Sequence, residues 1–192
     1  MARNKEFDPA EKLEKARNLF WQKGYNATSM QDLVDTMGLN RGSIYDTYGD
    51  KHSLYLECLK SYVNASVCNC NTLIGESTSP MQAIEDIIDA TVESAISNNK
   101  SCMAVKSTFE MAACDADVKD LAKGSCVQTS ALFEGLIRKA QKTGDIKPNL
   151  DAALLASFIV SSFSGFSQNY ALFNDAKQVR KMAGLLIESM KP

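Results

Sequence analysis

The chain has 192 residues, 45% of them hydrophobic, and a formal net charge of −2. That length and apolar content build a buried core without disulfide staples. The near-neutral balance, which holds through the first sixty residues as well, gives no bulk pull toward nucleic acid, so any DNA binding must rest on local geometry.

The start, Met1-Ala2-Arg3-Asn4-Lys5-Glu6, is charged and leads into no apolar run of signal-peptide length. Pro9 after Asp8 opens a first helix whose stripe is Leu13, Ala16, Leu19 and Phe20, ended by Gly24. Thr28 or Ser29 then caps a second helix, with Gln31 and Asp32 three residues on and Leu33, Val34 and Met37 on its apolar side. It stops at Gly38-Leu39. Asn40 caps a third short helix, Arg41 to Tyr48, ended by Gly49. Two short helices joined by a glycine-bearing turn, with Leu39 and Ile44 as anchors, have the pattern of a helix-turn-helix.

The chemistry of that third helix fits a reader of DNA. Its N-terminal turn offers Arg41 for bidentate contact with guanine, Gly42 for close approach, and Ser43; Gln31 can reach a base or a phosphate. Thr28, Tyr45, Thr47, Tyr48 and Lys51 offer hydroxyls or charge to the sugar-phosphate backbone, Lys51 from the start of the next helix. Tyr45 serves equally well to pack the three-helix unit, and Thr28 and Ser29 suit caps better than contacts, though one of them can do both. Asp46 and Asp50 flank the helix, so either a modest affinity or reliance on Arg3 and Lys5 of the N-terminal arm is expected.

Later segments keep helical spacing, with no two-residue alternation. The stripes are Leu54, Leu59, Tyr62 and Val63; Ile84, Ile87, Ile88, Val92 and Ala95 after Pro80; and Leu132, Leu136, Ile137 and Ala140. Leu154, Leu155, Phe158, Ile159, Ser162 and Phe166 follow Pro148, and Val179, Met182, Leu186 and Met190 close the chain. Gly75 and Gly144 fall where helices are expected to end. The fold class is all-α. The longest apolar region, Ala152 to Phe166, is broken by Ser157, Ser161, Ser162, Ser164 and Gly165, so no membrane span and a cytoplasmic protein are expected. Those small residues let two helices approach closely, and the C-terminal apolar faces call for a partner, which a twofold four-helix interface provides. Leu155, Phe158, Ile159, Ser162, Phe166, Val179, Met182 and Leu186 are the expected dimer contacts.

The first sixty residues resemble the TetR/AcrR (tetracycline-repressor) family. The resemblance lies in Ala16, Phe20, Gly24-Tyr25, Thr28-Ser29, Leu33, Gly38-Leu39, Gly42-Ser43-Ile44-Tyr45, Tyr48-Gly49-Asp50-Lys51 and Leu54. It implies an N-terminal three-helix bundle with the helix-turn-helix over residues 1–50. A larger helical ligand-binding and dimerisation domain follows over 51–192, its linking helix at 51–72. It further implies a homodimer on double-stranded operator DNA, released by a small-molecule inducer when the linking helix moves the paired recognition helices out of register. The cavity implied between about Pro80 and Tyr170 has Cys102, Met103, Phe109, Met111, Phe133, Phe163, Phe166 and Tyr170 as candidate lining.

Of the six cysteines (Cys58, Cys68, Cys70, Cys102, Cys114, Cys126), all are expected reduced. Ser101-Cys102-Met103 with Glu110 resembles the Gly-Cys-x-x-x-Asn-x-x-x-Glu pattern of one arm of the family, with Ser101 for the glycine and Lys106 for the asparagine. Cys102 is therefore either a buried structural thiol or an electrophile and oxidant sensor activated by Lys106 or a helix N-terminus. Cys68 and Cys70 point to different helix faces, and no metal site or cofactor is expected. A single histidine, His52, inside the DNA-binding pattern leaves no triad to build, and an enzyme is not expected. Two alternatives remain open beside the ligand-released repressor: the thiol-based sensor, and a helical interaction protein that has lost operator binding.

Overall fold

The structure, a computed structural model, describes residues 7–98 and 102–192. Arg3, Lys5 and Ser101 lie outside the described residues. Within those bounds the chain forms α1 (Pro9–Lys23), α2 (Met30–Met37), α3 (Arg41–Tyr48), α4 (Lys51–Glu76), α5 (Pro80–Asn98), α6 (Met103–Met111), α7 (Ala116–Thr143), α8 (Ala152–Phe173) and α9 (Ala176–Met190), and no strand among the described residues. This is the all-α class expected from the spacing.

Most of the caps are acidic or amide side chains accepting from the orphan amides of the first turn. Asp8 accepts from Ala10 N at 2.9 Å, Asn40 from Ser43 N at 2.8 Å, and Asp50 from Ser53 N at 2.7 Å. Asp115 accepts from Val118 N at 3.0 Å, and Asp151 from Ala153 N at 2.9 Å. At α2 the cap is Ser29 rather than Thr28. Its hydroxyl accepts from Asp32 N at 3.1 Å while the Asp32 carboxylate accepts from Ser29 N at 2.8 Å, a reciprocal capping box. Gly38, which ends α2 at φ 64°, and Gly144, which ends α7 at φ 83°, take the left-handed conformation that a side chain would strain. Gly75 does not end a helix. It lies inside α4, which runs on to Glu76 and a Ser77 cap, so the linking helix has 26 residues and spans about 39 Å.

Two apolar clusters hold the chain together. In the first, Ala16, Phe20, Leu33, Met37 and Ile44 of the three short N-terminal helices pack on Leu54, Tyr55 and Leu59 of α4. The same cluster continues into Met103, Ala104 and Met111 of α6 and Val118 of α7, so the head is not sealed off from the body. The second gathers Ile84 and Ile88 of α5, Phe133 and Ile137 of α7, Ile159 of α8 and Val179 and Met190 of α9. A bidentate ion pair from Arg180 to Glu93, at 2.6 and 2.9 Å, ties α9 to α5 at the surface.

Candidate nucleic-acid interface and ligand cavity

The helix-turn-helix is α2 and α3 joined by Gly38-Leu39-Asn40. Ile44 is fully buried beneath α3 and Leu39 packs beside the same cluster, which turns the opposite side of α3 to solvent. Arg41, Gly42 and Tyr45 are exposed there, and the Arg41 guanidinium lies 5.9 Å from the Tyr45 ring centroid. Gln31 is exposed on α2, its amide donating to Asp35 at 2.8 Å; Ser43 and Thr47 are half-buried at the edges of the face. A Cβ added at Gly42 would meet only the Asn40 side-chain oxygen, at 3.4 Å, so nothing within the protein requires glycine there.

Three expected backbone contacts are otherwise engaged. Thr28 is 1% exposed and its hydroxyl donates to Gly24 O at 2.6 Å, so this side chain closes the α1–α2 turn instead of facing a phosphate. The Tyr48 hydroxyl donates to Pro9 O at 2.7 Å and pins the end of α3 to the start of α1. Lys51 does begin α4, but its ammonium lies 4.3 Å from the Tyr25 ring centroid, and burial lowers its pKa. Asp32 is held well below the usual carboxylate range by the Lys23 ammonium at 2.6 Å and by the Ser29 amide and hydroxyl. This α1–α2 clamp is therefore complete above the ordinary carboxylate pKa and is lost only as pH falls through the depressed value.

Beneath the head, α6 grips the α1–α2 turn through side chains whose role was not read from sequence. Glu110 accepts from Asn26 N at 2.7 Å and Tyr25 N at 3.1 Å, and Lys106 donates to Gln22 O at 2.9 Å and Trp21 O at 3.2 Å. The Lys106 ammonium thus satisfies carbonyls at the C-terminal end of α1 while the Glu110 carboxylate satisfies amides of the turn that follows. One turn away, the Tyr55 and Ser107 hydroxyls meet at 2.6 Å in the core, and His52 of α4 joins Asp115 at 2.7 Å. The i,i+4 pair Lys106 and Glu110 was the available signal, visible as a departure from the family pattern at Lys106.

The other side of α6 lines a cavity of about 580 Å³ enclosed by α4, α5, α7 and α8, with Trp21 of α1 at its edge. Of the expected lining, Cys102 and Phe163 are on its wall. The rest are elsewhere. Phe109 is 85% exposed; Met103 and Met111 are buried in the head cluster; Phe133 and Phe166 are buried in the body cluster, with Tyr170 packed against it. Hydrophobic side chains at helical spacing had two places to go, and most went to core. Missed were Tyr62, Cys70, Thr91 and Ser164, small or polar positions on the inward faces of α4, α5 and α8.

Cys102 is the N-cap residue of α6, half-buried, with no capping hydrogen bond from its side chain. Burial pushes the Cys70 and Cys126 thiols up, with Cys102 adding to the rise at Cys126. The one trio of potential metal-ligand atoms within 4.8 Å of one another among the described residues is His52, Asp115 and Asp117, where Asp115 is already a helix cap.

Most of the residues expected at a dimer interface turn inward in the single chain. Ile159, Phe166, Val179 and Leu186 are buried inside their own chain, and Leu155 and Met182 pack partly against the same core. Phe158 remains 57% exposed and Ser162, four residues on, is half-buried; the other exposed large apolar side chains of α8 and α9 are Leu154, Leu172, Phe173 and Leu185.

A helix-turn-helix with a solvent-facing recognition helix, seated on a cavity-bearing helical body, defines a DNA-binding transcriptional regulator. Residues 13–58 match the family described as bacterial regulatory proteins, tetR family, and residues 80–185 match the tetracyclin repressor-like C-terminal domain. The chain belongs to the tetR family. It is 32% identical over 166 residues to the HTH-type transcriptional regulator YezE of Bacillus subtilis, covering 84% of this chain and 85% of that one. It is 27% identical to the HTH-type transcriptional repressor ComR of Escherichia coli, over 86% and 80% of the two chains. The fold is also that of a cysteine mutant of the regulator CifR complexed with a 26-bp operator duplex, with a TM-score of 0.85 at 20% identity over 98% and 100% of the chains. These relatives are regulators and not enzymes. Among the described residues no helix is long and apolar enough to cross a membrane.

Proposed function

We propose that the chain is a dimeric transcriptional repressor that binds a pseudo-palindromic operator through α3 and is released when a small molecule fills the cavity beneath α6. The observation that carries the reading is α6 itself, which holds the head through Lys106 and Glu110 on one side and lines the cavity at Cys102 and Thr108 on another. A ligand that displaces α6 would tilt the α1–α2 turn and α3 with it. Two recognition helices that must meet major grooves about 34–36 Å apart lose both contacts together when their spacing changes. Residues 1–50 would then be the DNA-reading unit and 51–192 the sensing and pairing unit. The setting is the cytoplasm, where the operator lies.

Gel-shift titration against DNA upstream of its own gene tests this directly: a specific shift is expected, and equal affinity for random duplex would return the chain to the class of helical interaction proteins. Within that assay Arg41→Ala should cost about 1–3 kcal/mol and relax discrimination at one or two base pairs. Lys51→Ala should weaken all sequences and lower the salt dependence; if Lys51 serves only to cover Tyr25, the salt slope will be unchanged. Gly42→Ala separates approach from stability. The new methyl meets little inside the protein, so the melting temperature should hold or rise, while operator affinity falls about tenfold where the backbone must come close to DNA.

Cys102 on the cavity wall favours a second reading, in which thiol modification replaces the reversible ligand. Cys102→Ser should then keep operator binding and lose release by oxidant or electrophile. Release that persists in this variant removes the thiol reading.

A further inference from the structure

We infer that the cavity ligand is an uncharged alcohol or phenol, mainly apolar in surface; this deepens the ligand-released reading above and rests on it. Among the described residues none that lines the cavity is acidic or basic: the walls alternate apolar side chains with serine, threonine, cysteine and carboxamide groups. An ionised carboxylate, phosphate or ammonium entering this space would give up its hydration and meet no countercharge among the described lining residues. A neutral molecule gives up far less.

The hydroxyls narrow the class further. Thr91 donates to Ile87 O at 2.8 Å, Thr108 to Ala104 O at 2.9 Å, Thr129 to Ser125 O at 2.9 Å and Ser157 to Ala153 O at 3.0 Å. Each spends its one proton on its own helix, and the lone pairs left on its oxygen are acceptors. These lining positions come from α5, α6, α7 and α8, so the wall offers acceptor oxygens from four helices. A ligand that brings its own O–H donor satisfies them. One that brings only acceptors leaves these four oxygens unpaired and must turn to the Asn69 and Gln128 carboxamides or the remaining serines for donors. The aromatic edge at Trp21 and Tyr62 and the Leu73, Val160 and Phe163 surfaces receive the hydrocarbon.

Trp21 is the only tryptophan of the chain and lines the cavity, so its emission reports occupancy. The full-length protein is titrated with four compact, thiol-inert probes on one skeleton: adamantanol, adamantanone, adamantane carboxylate and aminoadamantane in its ammonium form. Adamantanol should give a saturable change, adamantanone a weaker one, and the two ions binding at least about tenfold weaker than the alcohol. Carboxylate or ammonium binding as tightly as the alcohol overturns the proposal, as does no saturable response to adamantanol. Ser164→Phe fills the cavity from α8 and should abolish the response, and Ala90→Phe does the same from α5 if the first variant fails to fold. A full response in either folded variant places the probe elsewhere and overturns the assignment. Operator binding is measured without any probe, so a chain that binds adamantanol and no operator loses the repressor reading and keeps the ligand class.

Discussion

Phe158→Glu is expected to convert the protein to a monomer and to cut its affinity for a full palindromic operator by about two orders of magnitude or more. Phe158 is a large aromatic left 57% exposed on α8, on the same helical face as Leu154 at 70% and Leu172 at 69%, and Leu185 of α9 is 73% exposed. An exposed apolar stripe along α8 continued by α9 is the surface a second copy would cover. In a twofold interface one substitution acts twice, placing two carboxylates in the same desolvated patch. The effect on DNA follows from geometry and not from contact, since α8 carries no recognition residue. A monomer binds each half-site independently and forfeits the effective concentration that joins the second half-site to the first, a factor of about 10²–10⁴. Light scattering and operator titration on the same sample decide it: a variant that keeps its dimer mass, or a monomer that keeps full operator affinity, refutes the assigned interface.

Glu110→Ala should loosen the head without touching the cavity. The carboxylate accepts two backbone N–H groups, from Tyr25 and Asn26, in a partly buried turn. Charge-assisted bonds of this kind contribute about 1.5–3 kcal/mol each before solvent takes part of their place. A net loss of about 2–4 kcal/mol is expected, lowering the melting temperature by several degrees. Amide exchange at Tyr25 and Asn26 should accelerate with it. Operator affinity should fall and the Trp21 response to a cavity probe should remain, because Glu110 is absent from the cavity wall. Unchanged exchange at those two amides would mean that α6 does not hold the turn. Gly24 is shaped by the same carboxylate: a Cβ there would come within 2.7 Å of Glu110 at a φ of 87°, so Gly24→Ala should destabilise the head through both strain and collision.

Much of the head is legible in the sequence, because its signals are local. Ser29 with Asp32, Asn40 before Arg41 and Gly38 between them act within three or four residues of chain, and the helices begin and end where those residues direct. Thr28 shows the limit of that reading. Its hydroxyl suits a cap, a phosphate contact or a turn equally well, and its partner, Gly24 O, exists only once α1 has packed on α2.

Fold class, most helix starts and the helix-turn-helix are written in spacing, capping and composition, interactions whose range is one or two helical turns. Which apolar stripe of α8 and α9 turns inward depends on where α5 and α7 stand, and so Ile159 and Val179 became core while Leu154 and Leu185 remained outside. Likewise Lys106 read in sequence as a candidate activator of Cys102 and Glu110 as part of a family pattern, and only packing against α1 and its following turn gave them backbone partners more than eighty residues away. Burial and long-range hydrogen bonding are properties of the assembled chain: a side chain's chemistry sets which partners it can take, and tertiary contact decides which of them it meets.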